Sequence, residues 1–416
     1  MNILPRIHIL GSGNIGCLVA HSLRSLANPP PVTLLLHKAE VQQAFRKCSN
    51  RIRVERNRIA SLVGGFQHEV TDRAMFETWA SASAKPIQNL IVTTKAHQTI
   101  PALESIRDRL SPESTIMLLQ NGMGVLEEVN STIFPDAKTR PNMVIGITSH
   151  GAHTIRPFNV IHAGYGKIDM SVVPREPLPK GESYSIATPT ILSFPQETRP
   201  FIETLLECHD LSYGITSYPE ILAVQLEKLA VNAVINPLSV MFNCYNGQLV
   251  YNFPISRMLR LILFEVAKVI AAMPELDNIP SRDIRFSPER LERVVIGTAK
   301  KTSVNISSML QDVRSGKNTE VEYINGYLVK KGAELGIPCA VNFMLREMVK
   351  AKLEMVGAKI RADLPLEDIG RVPYKEMLHI DIDSANIDPD RIEIWLPDVI
   401  GNSCANANYE NGTNAN

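Results

Sequence analysis

The sequence has no excess of either charge, because 43 lysine and arginine residues are balanced by 43 aspartate and glutamate residues among 416. A chain without net charge has no general electrostatic attraction for nucleic acid or for an anionic membrane. We therefore expect a small-molecule or protein partner, and neither nucleic acid nor a membrane. A chain of this length exceeds one ordinary hydrophobic core, so we also expect two domains with extensions.

Closely spaced cysteines are missing as well. No C-x-x-C pair or dense framework occurs among the six cysteines, which are Cys17, Cys48, Cys208, Cys244, Cys339 and Cys404. This spacing is typical of reduced thiols in an intracellular protein and argues against a zinc site. His150 and His153 form an H-x-x-H without an evident third ligand. We interpret both as loop histidines and expect no metal.

Hydrophobic segments that could cross a bilayer are scarce. The longest apolar stretch, MLRLILFEVAKVIAAM, contains Arg260, Glu265 and Lys268 and is too short to span a membrane. The first residues, MNILPRIHILGSG, are interrupted by Pro5 and Arg6 and lack the features of a signal or transit peptide. We expect a soluble, cytoplasmic protein.

Short apolar runs alternate with helix-like segments in the first part of the chain. RIHIL, VTLLLHK, NLIVTT and TIMLLQ read as strands bounded by polar turns, and the continuous apolar runs are typical of parallel strands buried on both faces. The alternation predicts an α/β fold with a Rossmann-type doubly wound sheet.

The pattern changes near residue 219 to long helical periods with weak strand signals, which predicts an all-α second domain. We assign residues 1–218 to the Rossmann-like domain, with an inserted Pro/Ser/Thr-rich loop at about 174–196, and residues 219–370 to the helical domain. Residues 371–416 form a polar extension, for which we expect disorder at its end.

The segment GSGNIG follows the first predicted strand and opens a helix, which is the context that gives a G-x-G-x-x-G motif its meaning. The first glycine permits a tight turn, the second lets backbone approach a pyrophosphate, and the third allows close helix packing. The motif predicts a dinucleotide site in the first domain. Its residues are Gly11, Ser12, Gly13, Asn14, Ile15 and Gly16.

The end of the second predicted strand bears on the choice of nicotinamide cofactor. An NAD site is expected to carry Asp or Glu there, as an acceptor for the ribose 2′-OH. This chain has His37 and Lys38, which suit a 2′-phosphate, with Glu40 close by. We therefore predict NADPH as the cofactor.

A polar stripe occurs in the otherwise apolar segment EKLAVNAVINPLSV. Lys228, Asn232 and Asn236 recur every four residues, so they lie on one face of a helix. Burial of such groups is costly unless each has a partner. The stripe therefore either meets other polar protein groups or lines a cleft for a polar ligand. Pro237 is expected to bend or interrupt this helix.

Four further stretches belong with these features: TTKAHQ (93–98), LLQNGMG (118–124), NISSMLQD (305–312) and TEVEYINGYL (319–328). Together they complete a pattern that resembles the ketopantoate reductase (2-dehydropantoate 2-reductase) family, whose members make pantoate with NADPH for coenzyme A synthesis. With the glycine turn and the Lys/Asn stripe, the likeness covers about residues 5–355. The resemblance implies a Rossmann domain followed by a helical domain, with a small 2-keto acid as substrate. His37 departs from it, because many members carry arginine there.

The resemblance also implies roles on the helical side of the site. Lys228 matches the catalytic lysine, which bonds the keto oxygen, stabilises the developing alkoxide and delivers the proton. Asn232 and Asn236 match residues that bind the polar end of the substrate. Glu320 matches the acid that accepts from the substrate's terminal hydroxyl and positions Lys228. Each role has a structural alternative. Lys228 could extend from the core helix to solvent, and the two asparagines could hydrogen-bond within the core. Glu320 could simply stabilise a helix N-terminus.

On the sheet side, Lys95 and Gln98 follow one strand end and Asn121 follows the next, so we expect them to face nicotinamide and substrate. Asn121 matches a family residue at the nicotinamide ribose and the substrate, and Lys95 is expected to add positive charge to ligand binding. Ser308 matches a residue that contacts the substrate carboxylate, although a serine near a helix start is also a common cap.

Two other functions remain open. A reductase with the same fold could act on another 2-keto acid or on a secondary-metabolite ketone, and a dinucleotide-binding sensor could lack catalysis. The set of Asn232, Asn236, Ser308 and Glu320 favours ketopantoate, and an acid such as Lys228 argues against a sensor. The sequence predicts either a monomer or a homodimer.

Overall fold

The computed structural model describes residues 4–71, 85–176 and 184–361. Part of the inserted loop and the whole 371–416 extension therefore lie outside the described residues. The described residues belong to one compact unit, so the domain boundary at residues 218 and 219 stays a prediction.

Twelve strands occur in the described residues. They are β1 (Ile7–Leu10), β2 (Val32–Leu36), β3 (Ile52–Arg56), β4 (Ile59–Val63), β5 (Gln67–Val70), β6 (Asn89–Val92), β7 (Thr115–Leu118), β8 (Asn142–Thr148), β9 (Gly151–Arg156), β10 (Asn159–Gly164), β11 (Ile168–Val172) and β12 (Tyr213–Ile215).

Eight strands form the main sheet in the order β12-β11-β8-β7-β6-β1-β2-β5. All neighbours are parallel except β8 and β11. Every residue of β1, β2, β6, β7 and β8 is buried, because helices or other chain segments cover both faces of the sheet. The α/β fold class is confirmed. From β1, successive strands are added first on the β2 side and then on the β6 side, and doubly wound sheets bind their ligands at such a point between β1 and β6.

A second sheet, which we did not predict, contains four strands in the order β4-β3-β10-β9. Its outer strands β4 and β9 each pair with a single strand and are mostly exposed. Strand β9 packs beside the first helix of the main sheet. The small sheet thereby supplies one wall next to the glycine turn.

Helices cover the main sheet and form most of the described chain after residue 218. Those of the sheet half are α1 (Asn14–Arg24), α2 (Ala39–Lys47), α3 (Thr99–Glu104), α4 (Val125–Thr132) and α5 (Arg199–Leu206). Those of the helical half are α6 (Tyr218–Phe242), α7 (Phe253–Ala271), α8 (Arg282–Arg285), α9 (Pro288–Lys301), α10 (Ser308–Arg314), α11 (Asn325–Glu334) and α12 (Ala340–Arg361).

Helix α6 joins the two halves. It packs against β8 and β11 on one side and against α7, α9, α10 and α12 on the other, which explains why it is apolar on nearly all faces. By length and composition alone it is the one described helix that could cross a membrane, but 72% of its apolar window is buried inside the protein. Pro237 lies within this helix without interrupting it.

Candidate active site

The glycine turn between β1 and α1 is shaped by close backbone packing. Gly11 has a φ of 109°, a value that L side chains rarely adopt. A Cβ atom on Gly16 would lie 1.9 Å from the carbonyl oxygen of Gly11. The first and third glycines are therefore required by the fold itself.

Gly13 is different, because nothing lies within 4 Å of the Cβ atom that a side chain would add there. It precedes α1, and no side chain caps the first N–H groups of that helix. Free N–H groups and the positive end of the helix dipole are the features that bind a pyrophosphate. This open, uncapped turn fits a dinucleotide.

The side chain of Asn14 has a structural role, and its predicted cofactor contact stays a prediction. Its Nδ2 donates to the carbonyl oxygen of Ala152 at 3.1 Å, and its Oδ1 accepts from the Thr154 hydroxyl. The side chain thus ties α1 to β9, while its backbone remains part of the turn. Asn14 is therefore a link between the two sheets.

A cleft of about 800 Å³, which we call the cofactor cleft, runs from the glycine turn to the helical half. It is bounded by Ser12 to Ile15, by Thr93 to Lys95 and by Asn121 on the sheet side. Ser308, Asp312 and Glu320 bound it on the helical side. Its lining also includes Glu40, Val41, Ala44, Leu119, Gln120, Thr148, Thr154 to Phe158, Gln311, Ser315 and Lys317. Residues from five separate sequence motifs meet in this one space.

Lys228 lies on α6 next to this cleft. Its Nζ donates to Asn121 Oδ1 and to the carbonyl oxygen of Thr148, at 2.7 Å each. Both acceptors belong to residues that line the cofactor cleft. Burial lowers the pKa of Lys228 to about 8, and the nearby Glu320 carboxylate partly opposes that effect. Lys228 is thus a half-buried lysine whose pKa is lowered towards the neutral range.

The two amides of the stripe do not bond within the core. No hydrogen bond of the Asn232 or Asn236 side chain occurs in the part of the chain that the structure describes. Asn232 lines a small cavity together with Lys228 and Asn121, which we call the inner cavity. Asn236 is one turn further along and is 6% exposed. Two such amides without protein partners favour the ligand alternative.

Two roles were left open for Ser308, a helix cap and a contact to the substrate, and in the structure the neighbouring Ser307 is the cap. Ser307 is the helix cap, because its hydroxyl accepts from the Leu310 N–H at 3.0 Å and bonds to Ser239 at 2.7 Å. Ser308 is the first helical residue and lines the cofactor cleft. Its hydroxyl is thus available to a ligand.

Glu320 and Lys95 meet where the two halves face each other. The Glu320 carboxylate accepts from the Ala96 N–H at 3.2 Å, and burial raises its pKa. Lys95 forms an ion pair with Asp312. Its charge is therefore partly neutralised by a carboxylate that the sequence analysis did not pair with it, and its contribution of positive charge to ligand binding stays a prediction. Asp312 was not selected from the sequence, although it lies four residues after Ser308 on the same helix face.

Three predicted cofactor residues lie less centrally. His37 and Lys38 are exposed just before α2, and the lining of the cleft reaches Glu40 and Val41 in the first turn of that helix. Gln98 is exposed at the end of a short 3-10 turn after Lys95. Contact of His37 and Lys38 with the 2′-phosphate, and of Gln98 with the nicotinamide end, stays a prediction.

The interpretation of both histidines as loop residues is confirmed for His150, which lies in the connection between β8 and β9, and is wrong for His153. His150 is buried directly after β8, and its ring bonds to His162 and to the Leu211 carbonyl oxygen at 3.0 Å each. His153 lies in β9. Among the described residues, no group of three or more histidine, cysteine or acidic side chains is arranged to hold a metal ion.

Comparison with known proteins agrees with this geometry. Residues 7–175 match the family model described as "Ketopantoate reductase PanE/ApbA", and residues 220–353 match the model of its C-terminal part. The chain belongs to the ketopantoate reductase family. The resemblance inferred from the sequence motifs is therefore confirmed. The members of this family are dinucleotide-dependent reductases.

Two yeast proteins are similar to this chain over most of its length. A probable 2-dehydropantoate 2-reductase of Schizosaccharomyces pombe is 32% identical over 363 residues, which are 86% of this chain and 99% of the relative. The 2-dehydropantoate 2-reductase of Saccharomyces cerevisiae is 28% identical over 369 residues, which are 84% and 94% of the two chains.

Solved structures share the fold. A probable 2-dehydropantoate 2-reductase from Bacillus subtilis is 25% identical, with a TM-score of 0.59 over 83% of this chain and 99% of that one. A D-mandelate dehydrogenase, solved with NADH and anilino(oxo)acetate, is 20% identical, with a TM-score of 0.66 over 84% and 99%. The second likeness concerns the fold alone.

Proposed function

We propose that this protein reduces 2-dehydropantoate (ketopantoate) to (R)-pantoate with NADPH, and that Lys228 is the general acid. The observation that supports this most strongly is the Lys228 ammonium, held by Asn121 and Thr148 at the wall of the cleft that begins at the glycine turn. The names of the yeast relatives support the substrate. We also propose a cytoplasmic location and a monomer or homodimer.

When bound, the reduced nicotinamide supplies the hydride. The N–H groups after Gly13 would hold the pyrophosphate, and Asn121 would lie beside the reacting carbonyl. The Lys228 ammonium stabilises the negative charge that develops on the keto oxygen and then transfers a proton to it. An ammonium has three N–H donors, and protein acceptors account for two of them. The third is available to the substrate.

The remaining residues orient the substrate. The Ser308 hydroxyl would donate to its carboxylate, and the Asn232 and Asn236 amides would bind its polar atoms. Glu320, whose carboxylate faces the cleft, would accept from the terminal hydroxyl of ketopantoate. Lys95 would act through its ion pair with Asp312, which joins the two sides of the cleft.

The direct test is the loss of NADPH absorbance at 340 nm when purified protein is mixed with ketopantoate. We expect turnover, with (R)-pantoate as the product. A protein that binds NADPH but reduces no 2-keto acid would instead fit the sensor alternative.

A second candidate substrate is ketoisovalerate. A ketoisovalerate reductase of Gibberella fujikuroi is 25% identical over 386 residues, which are 80% of this chain and 79% of that relative. Ketoisovalerate lacks the terminal hydroxyl that Glu320 would bind. We therefore expect kcat/KM to favour ketopantoate by about tenfold or more, the scale of one hydrogen bond to a charged group. Equal values for the two acids would contradict this role of Glu320.

The activity is expected to depend on pH through Lys228. A general acid must be protonated, and the pKa of Lys228 is lowered to about 8 by burial. The logarithm of kcat/KM should therefore be flat below that value and fall with rising pH above it, by about tenfold per unit. A profile measured from pH 6 to 10 checks this. A decline that begins only near pH 10 would contradict a lowered pKa for Lys228, because that is where an ordinary lysine titrates.

Asn232 provides a test of substrate binding that leaves the fold intact. Because its amide has no hydrogen bond in the described chain, Asn232→Leu should change the free energy of unfolding by less than about 1 kcal/mol. The KM for ketopantoate should rise about tenfold. Asn325→Leu is the matched control, since the Asn325 amide donates to Ala233 and Asn342 at 3.0 Å. That control should lower stability, and an unchanged KM in Asn232→Leu would contradict substrate contact.

The choice of NADPH is proposed from His37 and Lys38. The double variant His37→Asp with Lys38→Ala should lower kcat/KM with NADPH by about tenfold relative to NADH, because a phosphate loses its cationic partners. The ratio of the two kcat/KM values measures this. Unchanged selectivity would show that neither side chain meets the 2′-phosphate.

A further inference from the structure

Two small cavities, one of which is lined by Lys228, occur in addition to the cofactor cleft. The inner cavity, with a volume of about 10 Å³, contains Lys228 and Asn232 in its wall. A second one, which we call the outer cavity, has a volume of about 40 Å³ and lies between α6 and the start of α4. Both are lined by Gln120, Gly122 and Gln225, so they are adjacent.

Gln225 lies at the junction of the two cavities. It precedes Lys228 by three residues on α6, which puts both side chains on one helix face. Its amide makes no hydrogen bond within the described residues. The neighbouring Gln120 has a buried Oε1 atom without a protein partner. A cavity near 10 Å³ is about the smallest that holds a water, and these amides offer the polar partners that such a water needs.

The outer cavity leads to the protein surface. Glu127, in the first turn of α4, lines this cavity and is exposed. Tyr218, at the start of α6, lines it as well. Polar groups thus extend from Glu127, an exposed residue, to the Lys228 ammonium on a path separate from the cofactor-binding turn.

This arrangement meets a requirement of the proposed function, on which the inference rests. Each turnover transfers a proton from the Lys228 ammonium to the alkoxide and leaves a neutral amine. The amine must regain a proton before the next turnover. While cofactor and product fill the cofactor cleft, water has poor access to Lys228 from that side.

We propose that the inner and outer cavities form a water-filled proton route that recharges Lys228, with Gln225 as its polar junction and Glu127 at its entrance. A water in the inner cavity gives its proton to Nζ, and the hydroxide left behind takes one from the next water outward. Solvent at Glu127 supplies the last proton. Reduction of one keto group takes a hydride from NADPH, which leaves an alkoxide, and one proton for that alkoxide. The route supplies this proton from solvent.

Gln225→Met tests the route because methionine keeps the length of the side chain and removes its polar atoms. Stopped-flow measurements at pH 7, where Lys228 starts protonated, would follow NADPH absorbance and proton uptake by an indicator dye. We expect the first turnover to keep its wild-type rate, while later turnovers and proton uptake slow by about tenfold, less than the loss of the acid itself. Gln43→Met, an exposed substitution on α2, is the matched control and should leave both signals unchanged.

Equal slowing of the first and later turnovers would assign Gln225 a purely structural role and overturn the route, as would unchanged proton uptake. If Gln225→Met does not fold, Glu127→Gln tests the outer end in the same way, and unchanged proton uptake in that variant overturns the proposal. A wild-type protein without a first turnover would instead defeat the proposed function. The two failures are thus distinguishable.

Discussion

Lys228→Ala is expected to lower kcat/KM for ketopantoate reduction by at least about a hundredfold, the scale of a lost general acid. The variant removes the one amine that lies against both Asn121 and Thr148 at the cleft wall in the described structure. It leaves the glycine turn untouched, so the affinity for NADPH should stay within about threefold, a difference below 1 kcal/mol. Stopped-flow rates and fluorescence titration of NADPH measure the two quantities.

Lys300→Ala is the control for this experiment, because Lys300 is an exposed lysine near the end of α9. It should retain the wild-type rate. If Lys228→Ala folds, binds NADPH and reduces ketopantoate as fast as the wild type, the acid is another group and the proposed mechanism is wrong. A parallel loss of NADPH affinity would point to damage of the fold.

Gly13→Val is expected to raise the KM for NADPH by at least about tenfold while the protein stays folded, because a charge-assisted hydrogen bond to phosphate contributes about 1.5–3 kcal/mol. The open space at Gly13 accepts a side chain without a protein clash, and its backbone φ of −78° suits valine. The added methyl groups would occupy the place where a pyrophosphate approaches the helix. Calorimetry with NADPH checks the weaker cofactor binding, and thermal unfolding checks that the variant stays folded.

Gly297 provides the matched control, because it too has nothing within 4 Å of an added Cβ atom but lies in α9, away from the lining of the cleft. Gly297→Val should leave the KM for NADPH unchanged. Gly16→Val, in contrast, should lower the melting temperature, since its side chain would collide with the Gly11 carbonyl. Normal cofactor affinity in Gly13→Val would show that the pyrophosphate lies elsewhere.

The sequence by itself determined the features that repeat locally. Continuous apolar runs identified strands buried on both faces, and the strand-glycine-helix order identified the glycine turn between β1 and α1. A spacing of four put Lys228, Asn232 and Asn236 on one face of α6. These inferences hold because periodicity and glycine placement are fixed by the geometry of neighbouring residues.

Only the tertiary structure decided which polar groups have partners. It paired Lys95 with Asp312 across more than two hundred residues, tied Asn14 to β9, and assigned the helix cap to Ser307 and not to Ser308. It also buried His150 against His162 and formed the small sheet. Such contacts depend on distances of a few ångströms between segments far apart in the chain, and no local pattern specifies those distances.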